Sequence, residues 1–328
     1  MSQERTKELM QQAEHLLDKN DYSAALIIYR DVIEIEPDHD DAYAMLGVIL
    51  GEQGDIEASI DSLQKAVQIN PEHSGAWLTL GLMQQHIGAN VLALESVRNA
   101  TIHAPDDDLA HYTLGGLILE TGGEHSDAVA SYSKAVEINK QHVEAWFMIA
   151  SLLYAKGDIE NALGGYQMVL DIDPNHLKSL IRKAMILASN GKMEDALEPA
   201  EFAVKQYPNN ADALICLATI KAESGELTDA IKLGRSAVEI EPENENIILH
   251  LSNFLERNDE YEPAFANLKP LIERDPPNIE AVILFAKFAS ALGLSDQALL
   301  LLEKIEQYED NSEIIVGAIK QAKKLLSV

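Results

Sequence analysis

Apolar residues with helical spacing run along this chain in short stretches, and each stretch is closed by the same kind of break. Pro37, Pro71 and Pro105 stand 34 residues apart, and so do Pro174, Pro208, Pro242 and Pro276. Between Pro105 and Pro174 lie two such periods plus one residue, with Lys140 where a proline is missing, and Asp310 stands 34 beyond Pro276. Proline ends a helix because it lacks an N–H donor and pushes the preceding residue out of the helical region. The breaks therefore predict a helical unit repeated every 34 residues.

A second break lies inside each unit. Gly54, Gly88, Gly157, Gly191, Gly225 and Gly293 recur seventeen residues before the terminator, with Asn20 and Asp259 in that place in two units. These residue types accept the left-handed conformation of a tight turn. Small residues recur seven places before the turn (Ala13, Gly47, Gly81, Gly115, Ala150, Ala184, Ala218, Ser252, Ala286). A second small series follows it (Ala25, Ser59, Ala93, Ala128, Ala162, Ala196, Ala230, Ala264, Ala298). Two helices joined by a short turn approach closely only where small side chains meet, so the two series predict the crossing points of a helical hairpin. Trp77 with Leu80, Trp146 with Ile149 and Leu214 with Leu217 fill the space around them.

The pattern resembles the tetratricopeptide repeat, a 34-residue helix–turn–helix unit with the signature W-x2-L-G followed by A-x3-F and a proline. Trp77, Leu80 and Gly81 match the first part, and Tyr43, Leu46 and Gly47 match it with a conservative change. Ala25 with Tyr29, Ala128 with Tyr132 and Ala162 with Tyr166 match the second. The resemblance implies an all-α, right-handed superhelical solenoid of nine tandem helix–turn–helix repeats with a C-terminal capping helix. Residues 1–5 form an extension, and the repeats fall at 6–39, 40–73, 74–107, 108–142, 143–176, 177–210, 211–244, 245–278 and 279–312. The one 35-residue unit places its extra residue in the turn around Thr121-Gly122-Gly123. Residues 313–328 carry Ile314, Ile315, Ala318, Ile319, Ala322, Leu325 and Leu326 against Lys320, Lys323 and Lys324, an amphipathic helix suited to covering the last repeat. Pro199 and Pro270 fall inside second helices, where proline predicts a bend or a late start.

Composition narrows the function. The chain has 328 residues, 25 basic and 54 acidic, for a net charge of −29. Neutralising phosphates requires a basic surface, so no nucleic-acid partner is expected. Cys216 is the only cysteine, which excludes intrachain disulfides and cysteine-based zinc sites. No apolar run approaches the roughly 18 residues of a membrane span, and the first residues lack a secretory pattern, so no membrane insertion and a cytoplasmic location are expected.

No catalytic motif, phosphate-cradling loop or metal-ligand spacing is found, so no catalytic residue, cofactor or metal is expected. Asp106-Asp107-Asp108 follows Pro105 at a helix start, where carboxylates cap free N–H groups. His39, His73, His142 and His176 all fall two residues beyond a terminator. Ligands from stacked repeats lie too far apart for one ion, so these histidines read as inter-repeat turn residues. By the resemblance they stand at the lip of a concave groove.

In this family the groove is lined mainly by the first helix of each repeat. Carried over, that implies Leu78, Leu82, Tyr112, Leu119, Phe147, Tyr154, Ile181 and Met185 as lining, with His39, His73, His142 and His176 at the lip; several of the apolar residues are equally at home between helices. The carboxylate grip of co-chaperones is absent, its places holding Met10, Ala44, Glu14 and Val48. The asparagine ladder of sugar transferases is absent too, with Met45, Thr79, Met148, Arg182 and Cys216 in its places. The resemblance thus implies a non-catalytic scaffold or adaptor that binds a peptide segment or partner protein in its groove. The alternative is a regulatory or assembly subunit of an enzyme or of a secretion, pilus or polysaccharide-export complex. From Asp31 to Ser133 there are 18 acidic residues against two basic ones, Lys65 and Arg98, so a partner with a basic segment is expected.

Overall fold

The computed structural model describes residues 2–273, 278–306 and 313–326. Among these residues there are nineteen α-helices and no strand, and the chain divides into two compact units, Met1–Gly165 and Tyr166–Val328. The first unit holds α1 (Ser2–Asp18), α2 (Tyr22–Ile35), α3 (Asp40–Glu52), α4 (Ile56–Ile69), α5 (Ser74–His86), α6 (Asn90–His103), α7 (Asp108–Glu120), α8 (His125–Ile138) and α9 (Val143–Ala155). The division falls within α10 (Ile159–Ile172). The second unit holds α11 (Leu177–Ser189), α12 (Met193–Gln206), α13 (Ala211–Glu223), α14 (Leu227–Ile240), α15 (Glu245–Arg257), α16 (Tyr261–Ile272), α17 (Ile279–Ala291), α18 (Ser295–Glu306) and α19 (Glu313–Leu326). Within each unit, odd and even helices pair as hairpins, as α1 with α2, α3 with α4 and α11 with α12, and even helices pack on the next odd one, as α2 on α3 and α12 on α13.

The turns use the residues their backbone demands. Gly54, Gly88, Gly157, Gly191, Gly225 and Gly293 have φ between 70° and 87°, and Asn20 and Asp259 take the same conformation at 59° and 58°. The linker between α7 and α8 holds four residues, Thr121 to Glu124, where the linker between α5 and α6 holds three, Ile87 to Ala89. The added residue sits in that turn, with Gly122 at φ 75° and the Gly123 N–H closing onto Ile118 O at 2.7 Å.

The hairpins cross where the small series meet. A Cβ on Gly47 would stand 2.5 Å from Leu63 Cγ, and one on Gly115 would stand 2.7 Å from Tyr132 Cε1. Ser59 uses the same close approach to donate its hydroxyl to Gly47 O at 2.6 Å. Tyr29, Tyr132 and Tyr166 are fully buried. Burial pushes the Tyr29 and Tyr132 hydroxyls up to about 12, with Glu14 and Asp41 adding to it at Tyr29, and Tyr112 and Glu120 at Tyr132.

Between units of the repeat, side chains stitch one hairpin to the next. Trp77 Nε1 donates to Pro71 O at 2.8 Å, and Trp146 Nε1 to Lys140 O at 3.2 Å. His111 occupies the tryptophan's place, its Nε2 lying 3.1 Å from Pro105 O. Where Lys140 replaces the terminating proline, α8 still stops at Ile138, and Asn139 Nδ2 donates to Asp108 Oδ2 at 2.7 Å.

Of the two outcomes expected at the interior prolines, the late start does not occur. The helix holding Pro199, α12, begins at Met193, in phase with the other second helices, and runs through the proline to Gln206. Likewise α16 begins at Tyr261 and ends at Ile272, two residues past Pro270. Neither helix starts late. Pro276 and Asp310 lie outside the described residues. At the C-terminal end α19 packs on α17 and α18, burying Ile315, Ala318, Ile319, Ala322 and Leu326 and leaving Ile314 exposed.

Candidate functional site

The four histidines have a definite local task. His39, His73, His142 and His176 are the N-caps of α3, α5, α9 and α11. Each Nδ1 accepts a backbone N–H from the third residue on: Ala42 at 3.3 Å, Ala76 at 3.2 Å, Ala145 at 3.4 Å and Ser179 at 3.2 Å. A helix start leaves its first N–H groups unpaired, and a neutral imidazole nitrogen satisfies one of them as an Asn or Asp side chain would. Asp107, Asn210, Asn244 and Asn278 fill the same place on α7, α13, α15 and α17. The acidic run at Asp106 thus supplies a helix cap, with Asp107 Oδ1 accepting from Ala110 N at 3.0 Å.

One cluster of potential metal ligands occurs among the described residues: His39, Asp40 and Asp41. Each is already engaged. His39 Nδ1 caps α3, and Asp40 Oδ2 accepts from Asn70 Nδ2 at 2.6 Å. Asp41 Oδ1 faces His73 Nε2 at 3.2 Å, an electrostatic contact rather than an aligned hydrogen bond. Cys216 is buried, its thiol pushed up to about 12 by desolvation, and its S–H points at Ile181 O at 3.9 Å. A thiol so placed stays protonated and inert at neutral pH.

The apolar residues implied for the groove fall into three groups. Leu78 is 8% exposed and packs with Val97, Ala100, Ala110 and Leu117, so it belongs to the core. Its side chain meets α6 because it lies on the buried side of α5. Leu82, Tyr112, Leu119, Phe147 and Ile181 are half-buried, and all but Phe147 border a core cluster. Tyr154 and Met185 are exposed, at 38% each. Within the first unit the structure brings Tyr112 and His142 together, ring centroids 4.8 Å apart, with the Tyr132 ring 5.6 Å from that of Tyr112. Burial, then the Glu144 carboxylate, raises the Tyr112 pKa above its ordinary value.

Other features carried no periodic signal. A cleft of about 280 Å3 opens between α4 and α6 over Trp77, Leu80 and Gln84 of α5. A counterpart of about 180 Å3 lies between α10 and α12, where Lys183 takes the place Leu80 holds in α5 and donates to Gln167 Oε1 at 2.6 Å. These clefts sit between second helices, away from the implied groove. Their lining is set by the residues that replace an ordinary core leucine or alanine, and the chain has to be aligned repeat by repeat before such a replacement shows.

His250, half-buried on α15, is a pH probe of the second unit. Burial lowers its pKa from 6.5, opposed in part by the Glu280 carboxylate. A group depressed in the folded state stabilises it fully above the unfolded value, and that share is lost as pH falls through the folded value. Chemical unfolding of His250→Leu should therefore lose less stability than the native chain as the pH falls from about 7 to about 5; parallel losses in the two proteins would contradict this.

Comparisons with known proteins agree with the geometry. Family models described as tetratricopeptide repeat match residues 40–73, 113–176 and 181–245. The C-terminal part of a repeat-containing protein from Cytophaga hutchinsonii is similar over 74% of this chain and 99% of its own, at 15% identity and a TM-score of 0.60. A tetratricopeptide repeat protein from Parabacteroides merdae is similar over 78% of this chain and 99% of its own, at 18% identity and a TM-score of 0.57. YrrB, described as having an unusual peptide-binding site, is similar over 57% of this chain and 95% of its own, at 21% identity and a TM-score of 0.51. At these identities the likeness is one of fold. No curated protein matches the chain.

Proposed function

The chain belongs to the tetratricopeptide repeat family, whose members mediate protein–protein interaction, and from that premise we propose that it is a non-catalytic scaffold holding a basic segment of a partner protein. The observation that carries this reading is the charge of three first helices in the first unit, α3, α5 and α7. α3, α5 and α7 contain no lysine or arginine, while Asp41, Glu52 and Glu120 are exposed on them. Lys65 and Arg98, the two cations of the stretch, lie on the second helices α4 and α6. A partner segment approaching α3, α5 and α7 thus meets carboxylates without competing cations, and the half-buried Leu82 and Tyr112 supply apolar contact beside them. The peptide-binding site named for YrrB, a structural neighbour, supports a segment as the kind of ligand.

Field lines from such a surface steer association and are screened within about 8 Å at physiological salt. The association rate of a partner captured from native lysate should fall about tenfold as ionic strength rises from about 0.01 to about 0.15 M. Glu52→Lys with Glu120→Lys, both at exposed positions, should slow association at low salt and flatten that dependence. A salt-independent rate, or a rate untouched by the double reversal, defeats the proposal.

A further inference from the structure

In the second unit one first helix departs from the acidic character of the chain. α11 carries Lys178, Arg182 and Lys183 and no carboxylate, whereas α13, α15 and α17 each carry at least one. Its exposed positions are Lys178, Arg182, Met185 and Ser189, spaced i, i+4, i+7 and i+11, which is a single stripe along one face. Half-buried Ile181 borders it, and Lys183 is turned away toward Gln167.

Several cations of this unit are paired. Lys221 pairs with Glu226 at 2.9 Å, Lys232 with Asp229 at 3.0 Å, Arg235 with Glu260 at 3.0 Å and Arg257 with Glu223 at 2.6 Å. Among the described residues neither Lys178 nor Arg182 makes a hydrogen bond or an ion pair. In a chain of net charge −29, two adjacent cations left without a carboxylate form a docking surface of defined sign.

We propose that the exposed stripe of α11 docks an extended acidic segment of a partner protein, with side-chain carboxylates two residues apart set on Lys178 and Arg182 and an apolar residue beyond them on Met185. The proposal rests on the reading of the chain as a segment-binding scaffold and adds a second surface of opposite charge. The spacing selects the segment. Four residues of helix rise about 6 Å, and two residues of extended chain span about 6.7 Å, so alternate side chains of a strand match i and i+4 of the helix. Alternate side chains also share one face of a strand, which brings both carboxylates down together. On the neighbouring α13, exposed Asp212 occupies the place equivalent to Lys178 and confines the acidic residues to the α11 side. A second copy of this chain is a poor occupant through its densest acidic run, because Asp107 caps α7 and Asp108 accepts from Asn139.

The test uses the full chain and a labelled peptide, acetylated and amidated, of sequence Gly-Glu-Ala-Glu-Ala-Leu-Gly, followed by fluorescence anisotropy. Lys178→Ala and Arg182→Ala, both at exposed positions, should each weaken binding about fivefold. Replacing both peptide glutamates by glutamine should weaken it further than either, and Glu52→Lys with Glu120→Lys should leave it unchanged. A glutamine peptide that binds as well, or affinity indifferent to both α11 variants, overturns the proposal. So does self-association of the native chain that Lys178→Glu with Arg182→Glu abolishes, since the occupant would then be a second copy. If the peptide fails while a lysate partner is still captured and its association is still slowed by the reversal at Glu52 and Glu120, only the docking on α11 falls and the scaffold reading stands.

Discussion

Gly81→Ala should destabilise the chain by about 2 kcal/mol, and adding Val97→Ala should recover part of that loss. The new Cβ would fall on Val97 Cγ2 and lie 3.2 Å from Ala93 O and 3.4 Å from Val97 N. Two of the three obstacles are backbone, and the third belongs to a β-branched side chain with one strongly preferred rotamer in a helix, so the crossing of α5 and α6 must open. Overpacking costs roughly 1–3 kcal/mol, while alanine in a helix interior returns up to about 1 kcal/mol over glycine. Urea unfolding of the two single variants and the double variant closes the cycle. Additive single effects would mean that the crossing has slack the close approach does not suggest. Gly54→Ala makes a contrasting control: nothing lies within 4 Å of its Cβ, and its cost comes from φ 84° alone.

Removing residues 313–328 should have the largest effect of any change considered, about 5 kcal/mol of local stability lost from α17 and α18. The helix α19 buries Ile315, Ile319 and Leu326 in a cluster with Phe285, Phe288 and Leu302, and each large aliphatic side chain contributes about 1.5–3 kcal/mol by burial. Repeat stacks hold together through neighbours, so the exposed α17 face should fray from its end inward while the first unit keeps its stability. Amide exchange resolves this by position. Protection over residues 279–306 equal to that of the full chain would show that α19 is not the cap of this stack.

Much of this architecture was legible because the repeat writes the same physical requirement many times. A left-handed turn residue at Gly54, Asn20 or Asp259, a small residue at a crossing and a terminator after each second helix are local demands that few residue types meet. At Pro199 and Pro270 the sequence leaves a bend or a late start open, and the helix starts at Met193 and Tyr261 remove the second of these. The candidate groove was less legible. Periodicity identifies the face of a helix to within one side chain, and Leu78 and Met185 fall on opposite sides of that margin, one 8% and the other 38% exposed. The histidines were legible as inter-repeat turn residues, while their task as helix caps was not. Nδ1 can accept an N–H as an asparagine oxygen does, and only the cap geometry separates that from a group waiting at a groove lip. The uncovered cations of α11 could be read as residues, but their lack of partners is a property of the packed chain.

The junctions between hairpins carry a consequence for anyone dividing the chain. His73 belongs by count to the hairpin of α3 and α4, but its ring closes the start of α5, and Trp77 reaches back to the carbonyl of Pro71. The same overlap recurs at His142, with Trp146 and Lys140. Each hairpin therefore borrows the last few residues of its predecessor, and the boundary drawn by sequence period is not the boundary at which the backbone is complete. A fragment begun at Ser74 would leave α5 with an open first turn and Trp77 with a buried stem and no acceptor. One begun at Asn70 keeps both, and the natural seams for circular permutation or grafting lie ahead of the prolines rather than behind the histidines.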